Sequence, residues 1–371
     1  MTRGELKVEH LLTSMWRARA RGDLSVGRRS PARVICIRLE QVQGLARFVA
    51  RSLRRLLVGS SWGVVAALAV VTSFHLARTE PWTLVVGLIA VTPWIYMLAW
   101  VTCSIGLFFR RRVLASTSAV LVLLQLWWVV PDFDPIAHLV SPVPGDIRVT
   151  ILDANVSQSN RNLSQLAAEI RRDRPQVVTL EEVKPASLQS LALTHVMDRY
   201  RFNMVTLAFG SDGMAMWSVF PLEGASEWRA VGHPELRAWL ELPGHQRLRI
   251  DVVHTNAPYG PGQPALWISQ MVVIKQELAR EPRPLVVGDL NATWYDWHFQ
   301  ALLHLGLRDA AVVAGQGWRM TWPRDQQPVV PYLRIDHVLL SPAIALNSYH
   351  VSGVKGSDHD SLRVTIALGG H

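Results

Sequence analysis

Several short polar motifs of this chain fall where runs of Val, Ile and Leu end, which is where a β-strand reaches the rim of its sheet. These motifs are Asn155, Glu181-Glu182, His254, Asp289-Leu290-Asn291, Asp336-His337 and Asp358-His359. Side chains at positions i and i+2 of a strand share a side, so Asp289 and Asn291 are expected to face one small volume that suits a bound water molecule. In each Asp-His pair, the carboxylate can fix the tautomer of the imidazole and stabilise its charged form. Together these groups predict metal-assisted hydrolysis of a phosphoester.

Each motif also has a structural explanation when it is taken alone. Asn155 at a strand end is typical of a turn residue, and a single His254 before a turn is more often structural than functional. Two adjacent carboxylates at a strand end are unfavourable unless a cation or a basic partner neutralises them. Because neighbouring residues of a strand point to opposite faces, only one of Glu181 and Glu182 can reach a given ion. The chemical interpretation therefore depends on the motifs as a set.

The elements that must position these groups follow from the pattern of apolar residues after about residue 147. The pattern predicts strands at Ile147–Ala154, Gln176–Glu181, Met214–Phe220, Ala238–Leu242, Leu248–His254, Leu285–Gly288, Arg334–Leu340, Ala345–Val351 and Leu362–Leu368. It predicts helices at Leu163–Arg174, Leu188–Met197 and Pro264–Ala279. Hairpin-like pairs mixed with crossovers indicate an α/β domain with mixed sheets rather than a doubly wound parallel sheet.

Three apolar stretches precede this domain, at Leu56–Ala77, Trp82–Phe109 and Val113–Val130, and none of them contains Asp, Glu, Lys or Arg. About 20 apolar residues are needed for a helix to cross the hydrocarbon core of a bilayer. The stretches therefore predict three transmembrane helices, with a buried helical core as the alternative. The predicted organisation is a basic cytoplasmic segment at 1–55, a transmembrane region at 56–131, a linker at 132–146 and a catalytic domain at 147–371.

The distribution of charge predicts how the chain lies across the membrane. Residues 1–60 contain 13 Lys and Arg against 4 Asp and Glu, whereas residues 145–371 contain 21 against 22. Arginines flank the first span at 51, 54 and 55 and join the second span to the third at 110–112, and positively charged loops stay in the cytoplasm. We therefore expect a multi-pass protein of the cell (inner) membrane whose catalytic domain lies outside the cytoplasm.

The basic N-terminal segment and the cysteines give two further expectations. Residues 1–30 are predicted to be disordered, and the stretch Ile35–Leu56 is either a helix lying on an anionic leaflet or a disordered basic tail. The two cysteines, Cys36 and Cys103, both precede the predicted external domain. That domain therefore has neither a thiolate zinc site nor a cysteine nucleophile.

Taken together and in this order, the motifs resemble those of the endonuclease/exonuclease/phosphatase superfamily, and most closely its membrane-anchored bacterial branch. The resemblance covers roughly Ile147–Leu368, and the segments Asn291-Ala292-Thr293-Trp294 and Thr321-Trp322-Pro323 add to it. It implies a four-layer sandwich of two mixed β-sheets flanked by helices, preceded here by the three transmembrane helices. It also implies a phosphoester hydrolase that uses Mg²⁺ or Mn²⁺, the ions that oxygen ligands favour.

The resemblance assigns a role to each matching position. It implies catalytic roles for Asp289, Asn291, His254, His359 and Asp336, and metal-side roles for Glu182, Asn155 and Asp358. In this scheme Asp289 and Asn291 orient the attacking water, the two histidines contact the phosphate, and Asp336 orients His359. His337 would support the site from behind.

Three positions depart from the family pattern and bear on the substrate. Glu181 stands where many members have Gln and would add negative charge near the metal, Ser361 stands where many have Pro, and Ser157 stands where nuclease branches often have an acidic residue. The core set of polar residues remains intact.

The sequence leaves three functions open: hydrolysis of a lipid-linked or small phosphate ester or pyrophosphate, cleavage of external nucleic acid by a tethered nuclease, and a non-enzymatic sensor. A nuclease gains affinity from Lys and Arg that face successive phosphates, and the charge of residues 145–371 is balanced, which favours the first function. The expected partners are a lipid bilayer and a phosphate-ester substrate, with nucleic acid as the alternative substrate. Aromatic residues near the motifs could line a pocket, lie at the membrane interface or belong to the core, namely Trp294, Tyr295, Trp297, Trp318, Trp322 and Tyr332.

Overall fold

The computed structural model describes residues 31–133, 136–141, 143, 145–208, 210–280, 284–324 and 329–369. The segment 1–30, for which the sequence predicts disorder, lies outside the described residues. The chain divides into two units, residues 1–61 and residues 62–371.

The described part of the first unit belongs to a single long helix, α1 (Pro31–Ala77), which continues into the second unit. The stretch Ile35–Leu56 is therefore helical rather than a disordered tail. Four more helices follow: α2 (Thr83–Ala90), α3 (Thr92–Ile95), α4 (Met97–Phe108) and α5 (Arg112–Val129).

Two of these helices are long and apolar enough to cross a membrane, at Gln41–Ala77 and Arg112–Val129. The predicted middle span is broken, because Thr83–Ala90 and Thr92–Phe108 meet at an angle of 72°, as in a broken span or a re-entrant loop. Pro93 lies in the first turn of α3, where a backbone N–H would have no hydrogen-bond partner within the helix, so its absence costs little. Gln125 of α5 donates from Nε2 to the Pro93 carbonyl at 2.8 Å, so a neighbouring helix supplies a polar partner at the break.

Twelve strands lie between Ile147 and Leu368 and form two six-stranded mixed sheets. The first sheet has the order β11-β12-β1-β2-β4-β3, with β1 (Ile147–Asn155), β2 (Val177–Glu181), β3 (Phe202–Thr206), β4 (Met214–Ser218), β11 (Ala345–Gly353) and β12 (Asp360–Leu368). The second has the order β5-β6-β7-β8-β10-β9, with β5 (Leu222–Ala230), β6 (His233–Glu241), β7 (Arg247–Val252), β8 (Pro284–Asp289), β9 (Arg308–Asp309) and β10 (Asp336–Leu340).

The two sheets pack face to face, and helices cover their outer faces. The core between the sheets is apolar and includes Val149, Ile250 and Val364, all fully buried. The first sheet is covered by α6 (Ser164–Asp173) and α7 (Pro185–Ala192), and the second by α8 (Gln263–Ala279) and α9 (Trp297–Leu303), with the short α10 (Ala310–Val313) after β9. This arrangement confirms the predicted four-layer α/β sandwich.

Some elements differ from the prediction. The strand β5 was not predicted, because most of its residues are exposed and it lacks an apolar run. The helix predicted at Leu188–Met197 instead begins at Pro185 and ends at Ala192. His195 then takes a left-handed conformation with φ 56°, which stops the helix before a 3-10 turn at Val196–Arg199.

Two parallel strand pairs determine where the polar motifs meet. β1 pairs with β2 in parallel, and β7 pairs with β8 in parallel, so the carboxyl ends of each pair lie at the same edge of their sheet. Gly288 allows the second pair to close tightly. Its φ is +130°, and a Cβ atom there would lie 2.0 Å from the carbonyl oxygen of Val253. Any other residue would push apart the strand ends that carry His254 and Asp289.

A buried ionic network joins the end of α5 to this edge. The Arg334 guanidinium donates from Nη2 to Asp132 Oδ1 at 2.6 Å, from Nη1 to Asp309, and from Nε to the Gly317 carbonyl at 2.8 Å. Arg334 and His337 hold the pKa of Asp309 below its ordinary value despite its burial, which acts in the opposite direction. Asp132 lies three residues after the end of the last apolar helix, so Arg334 ties that helix to the segment that leads into β10.

Replacing Arg334 should therefore destabilise the fold. Arg334→Met would leave two buried carboxylates without their cation, which typically costs about 3–5 kcal/mol. The midpoint of thermal unfolding of the full chain in detergent is expected to fall by at least about 5 °C. Arg148→Met, at an exposed position of β1, is the matched control and should stay within about 0.5 kcal/mol of the parent. Equal midpoints for the two variants would contradict the importance of this network.

Candidate functional site

Asp289 is the centre of the polar cluster at the carboxyl ends of the parallel strands. Its Oδ2 accepts a hydrogen bond from Asn155 Nδ2 at 3.1 Å, and its Oδ1 accepts one from the backbone N–H of Asn291 at 2.8 Å. Asn291 has a left-handed backbone with φ 45°, and its Nδ2 donates to the Thr255 carbonyl at 2.8 Å. The predicted Asp289-Asn291 pair therefore shares one small volume with Asn155.

Asp336 approaches Asp289 from the neighbouring strand β10, and His359 approaches it from directly before β12 in the other sheet. The Asp336 carboxylate accepts from His359 Nδ1 at 3.0 Å, and His359 Nε2 lies 3.7 Å from Asp289 Oδ2. Burial lowers the pKa of His359, but the carboxylates of Asp336 and Asp289 outweigh burial and raise it to about 10. Burial, with help from Asp336 and Glu182, raises the pKa of Asp289 to about 8 although His359 acts against the shift.

Glu182 and His254 close the other side of the cluster. His254 Nε2 lies 3.9 Å from both Glu182 Oε1 and Asp289 Oδ2. Asn155 Nδ2 donates to Glu182 Oε1 at 3.3 Å, and the backbone N–H of Gln158 donates to Glu182 Oε2 at 2.8 Å. Glu182 has φ 57°, which turns the chain away from β2 and presents the carboxylate at the rim. Burial, together with His233 and His359, lowers the pKa of His254 well below its ordinary value.

Seven of the eight predicted site residues thus converge, and Asp358 lies beside them, where its charge helps to raise the pKa of His359. The Asp358 Oδ2 accepts from the indole Nε1 of Trp322 at 3.1 Å, and among the described residues it has no hydrogen bond or ion pair with the other seven. Glu181, the residue before the predicted metal-side residue Glu182, is fully buried and faces the interior of the domain. Burial and the nearby Asp153 raise the pKa of Glu181 well above its ordinary value.

The sequence did not predict two residues that lie next to His254 of the cluster, Glu235 and His233. Glu235 Oε2 accepts from the backbone N–H of His254 at 2.9 Å, and the His233 ring lies at right angles to the His254 ring with centroids 5.4 Å apart. His233 Nε2 in turn lies 3.2 Å from Asp212 Oδ1. The sequence gives little signal for them, because His233 and Glu235 open β6 ahead of its apolar run.

His337 lies behind the cluster, as predicted for a supporting residue. Its ring contacts Asp309 Oδ2 through Nδ1 at 2.9 Å and the Ala292 carbonyl through Nε2 at 2.9 Å. It therefore braces the turn after Asn291 from the side of the Arg334 network.

The donors at the rim include oxygen atoms that suit a hard divalent cation. Asp289, Asp336 and His359 offer ligand atoms within 4.8 Å of one another, but Asp336 and His359 already satisfy each other. The carboxylates of Glu182 and Asp289 are linked through the Asn155 amide, and each has an oxygen atom 3.9 Å from His254 Nε2. Two neighbouring carboxylates fit a site for Mg²⁺ or Mn²⁺.

The loops around this rim also contact the apolar N-terminal region, at the loop between α1 and α2 and in α2 and α3. Thr83 Oγ1 donates to the Gly260 carbonyl at 3.1 Å, and Trp94 Nε1 donates to the Tyr332 carbonyl at 3.0 Å. Glu80 Oε1 accepts from the backbone N–H of Trp297 at 2.7 Å. The three loops that receive these contacts follow β7, follow β8 and precede β10, which are the strands that carry His254, Asp289 and Asp336.

Solved structures share this fold at low sequence identity. A structure of D. rerio TDP2 complexed with a single-stranded DNA product aligns with a TM-score of 0.51 and 20% identity, and covers 60% of this chain and 99% of that chain. The 3′ phosphatase NExo from Neisseria, bound to a product DNA hairpin, aligns with a TM-score of 0.48 and 19% identity, over 58% of this chain and 98% of that chain. No curated protein sequence matches the chain significantly.

The sequence profile of the Endonuclease/Exonuclease/phosphatase family matches residues 152–359, which is more than half of the chain. The matched region begins in β1 and ends at His359, so it contains the whole polar cluster. The chain therefore belongs to the Endonuclease/Exonuclease/phosphatase family and is a metal-dependent hydrolase of phosphoester bonds.

Proposed function

We propose that the protein is anchored in a membrane by its apolar helices and hydrolyses, outside the cytoplasm, a phosphate ester or pyrophosphate that is lipid-linked or lies close to the membrane. The observation that carries this proposal is the contact between the site rim and the helices. The loops that follow β7 and precede β10 accept hydrogen bonds from Thr83 and Trp94, and the loop that follows β8 donates one to Glu80. Because these contacts hold the site rim against the membrane-anchoring helices, the site opens next to the lipid surface.

In this proposal the carboxylates of Glu182 and Asp289 hold the divalent ion, Asn155 lies beside it, and Asp358 is not needed as a direct ligand. When bound, such an ion neutralises charge on the phosphate and polarises the P–O bond. Asn155 supports the carboxylates of Glu182 and Asp289, because its amide bonds to both. The oxygen donors favour Mg²⁺ or Mn²⁺.

The remaining side chains act on the water and the phosphate. Asp289 accepts a proton from the attacking water or aligns it, with Asn291 fixed beside it by two hydrogen bonds. His359 is held by Asp336 through Nδ1, so its Nε2 is free to donate to the negative charge that develops on the phosphate. His254 faces the same volume, and Glu235 fixes its backbone.

The charge of the domain supports a small or lipid-linked ester over a polynucleotide. Residues 145–371 carry 21 basic against 22 acidic residues, whereas nucleic-acid binding depends on basic groups that contact successive phosphates. Cleavage of nucleic acid is the second candidate, because D. rerio TDP2, which shares the fold, was solved with a single-stranded DNA product.

The proposed roles predict large losses of turnover from single substitutions. Asp289→Asn and His359→Ala in the full chain should each reduce hydrolysis of bis(p-nitrophenyl) phosphate by at least about 10²-fold, because each removes a group acting at the reacting phosphate. EDTA should abolish the activity, and added Mg²⁺ should restore it. Asp198→Asn and His245→Ala, at exposed positions away from the rim, are the matched controls and should keep the parent rate. Parent rates for both site variants would overturn the assignment.

The choice of substrate predicts the outcome of a side-by-side assay. The purified full chain in Mg²⁺ is offered duplex DNA, single-stranded RNA, a polyprenyl pyrophosphate and a sphingomyelin-like lipid at equal concentrations of cleavable ester. We expect release of phosphate or headgroup from a lipid at a rate at least about tenfold above nucleic-acid cleavage, because the rim opens at the lipid surface. Robust nicking of DNA with no release from either lipid would leave the nuclease function standing instead.

A further inference from the structure

A separate cavity lies where the outer ends of the apolar helices meet the loop after Asn291. This junction cavity has a volume of about 470 Å³ and is lined by Arg78, Glu80, Trp127, Trp128, Trp294 and Trp297, among others. None of the eight predicted site residues lines it. It is therefore a second binding volume beside the hydrolytic site.

Glu80 gives the cavity a buried carboxyl group that has no cationic partner among the described residues. Its side chain is 1% exposed, and its Oε1 accepts from the backbone N–H of Trp297. Its Oε2 is buried and has no hydrogen-bond partner among the described residues. Burial, and then the charge of Asp296, raise the pKa of Glu80 to about 8, as expected for a buried carboxylate that lacks a cation. A bound ammonium group would supply the missing partner.

The aromatic side chains around Glu80 suit the same ligand. Trp127 is 78% exposed, and Trp128 stacks on His75 with centroids 4.2 Å apart. Indole faces attract cations, and aromatic-lined sites with a nearby carboxylate are a common way to bind alkylammonium groups. The cavity therefore combines a buried carboxylate with aromatic surfaces at the level where lipid headgroups would lie.

Arg78 supplies a positive group to the lining of the cavity. It lies in the short loop between α1 and α2, and its guanidinium is over the Trp297 ring at 4.2 Å from the centroid. Among the described residues, Arg78 and Glu80 form no ion pair with each other, although they are two positions apart. An exposed guanidinium beside a buried carboxylate matches a ligand with both a phosphate and an ammonium group.

We propose that the junction cavity binds the headgroup of a zwitterionic phospholipid, with its ammonium group at Glu80 and its phosphate at Arg78. This inference rests on the membrane anchoring in the proposed function, but it concerns a site other than the hydrolytic one. The bound lipid would hold the loop at 294–297 against the bilayer and so keep the rim next to its substrate.

The test measures which lipid the full chain retains. The protein is purified in EDTA and equilibrated with mixed micelles that contain equal amounts of phosphatidylethanolamine and phosphatidic acid, and retained lipid is counted by native mass spectrometry. The parent is expected to retain the ethanolamine lipid at least about tenfold over phosphatidic acid, a difference of about 1.4 kcal/mol. Equal retention of the two lipids by the parent would overturn the inference.

Two substitutions test the contacts to the ammonium group and to the phosphate separately. Glu80→Gln keeps an oxygen acceptor for Trp297 and should reduce the preference to about twofold or less, because only the charge is lost. Arg78→Gln, at an exposed position, should lower retention of both lipids by a similar factor, because both carry the phosphate. Glu241→Gln in β6, outside the cavity lining, is the matched control and should keep the parent preference. An undiminished preference in Glu80→Gln would contradict the assignment of the ammonium site.

Asp289→Asn distinguishes this inference from the proposed function. It should lose hydrolysis of the soluble ester and keep the preference for the ethanolamine lipid, because Asp289 does not line the cavity. A parent that hydrolyses lipid esters without retaining the zwitterionic lipid would refute the cavity alone. A parent that retains the lipid but hydrolyses no phosphoester would refute the proposed function alone.

Discussion

The buried guanidinium of Arg334 is the interaction on which the placement of the site depends. It is the shared cation for Asp132, three residues after the end of the last apolar helix, and for Asp309 in the second sheet. Arg334 lies two residues before Asp336, so the group that ties the helix to the sandwich also fixes the start of the strand that carries a site carboxylate. A buried carboxylate without its cation is strongly unfavourable, which makes this connection hard to break.

Strand pairing positions most of the other site residues at the same edge. The parallel pairs β1–β2 and β7–β8 bring Asn155, Glu182, His254 and Asp289 to one rim, and β10 and β12 add Asp336 and His359. The loops that leave the same strand ends contact the apolar helices. If the helices lie in a membrane, as we propose, then one rim both binds the reacting phosphate and opens at the lipid surface.

Much of this site could be predicted from the sequence, because polar residues at the ends of apolar strands have few roles other than turns and chemistry. Their spacing predicted that Asp289 and Asn291 lie together, although a turn at Asn291 rather than strand alternation brings them into contact. Alternation also predicted that only one of Glu181 and Glu182 can reach a given ion, and in the structure Glu181 is fully buried. The support of His254 by Glu235, and the pairing of Asp132 with Arg334, could not be predicted, because each joins residues distant in sequence without a local pattern. Asp358 was assigned from the resemblance alone, and only the structure reveals its contact with Trp322.

The central claim is that the site rim faces the bilayer, and fluorescence quenching tests it most directly. With Cys36 and Cys103 replaced by Ala, a fluorophore is attached to Tyr259→Cys, in the loop after β7, or to His245→Cys, in the turn at the opposite end of β7; both positions are exposed. The protein is reconstituted in vesicles that carry a nitroxide on the lipid headgroup. The account predicts strong quenching at position 259 and little at 245. Equal quenching at both positions, or stronger quenching at 245, would contradict it.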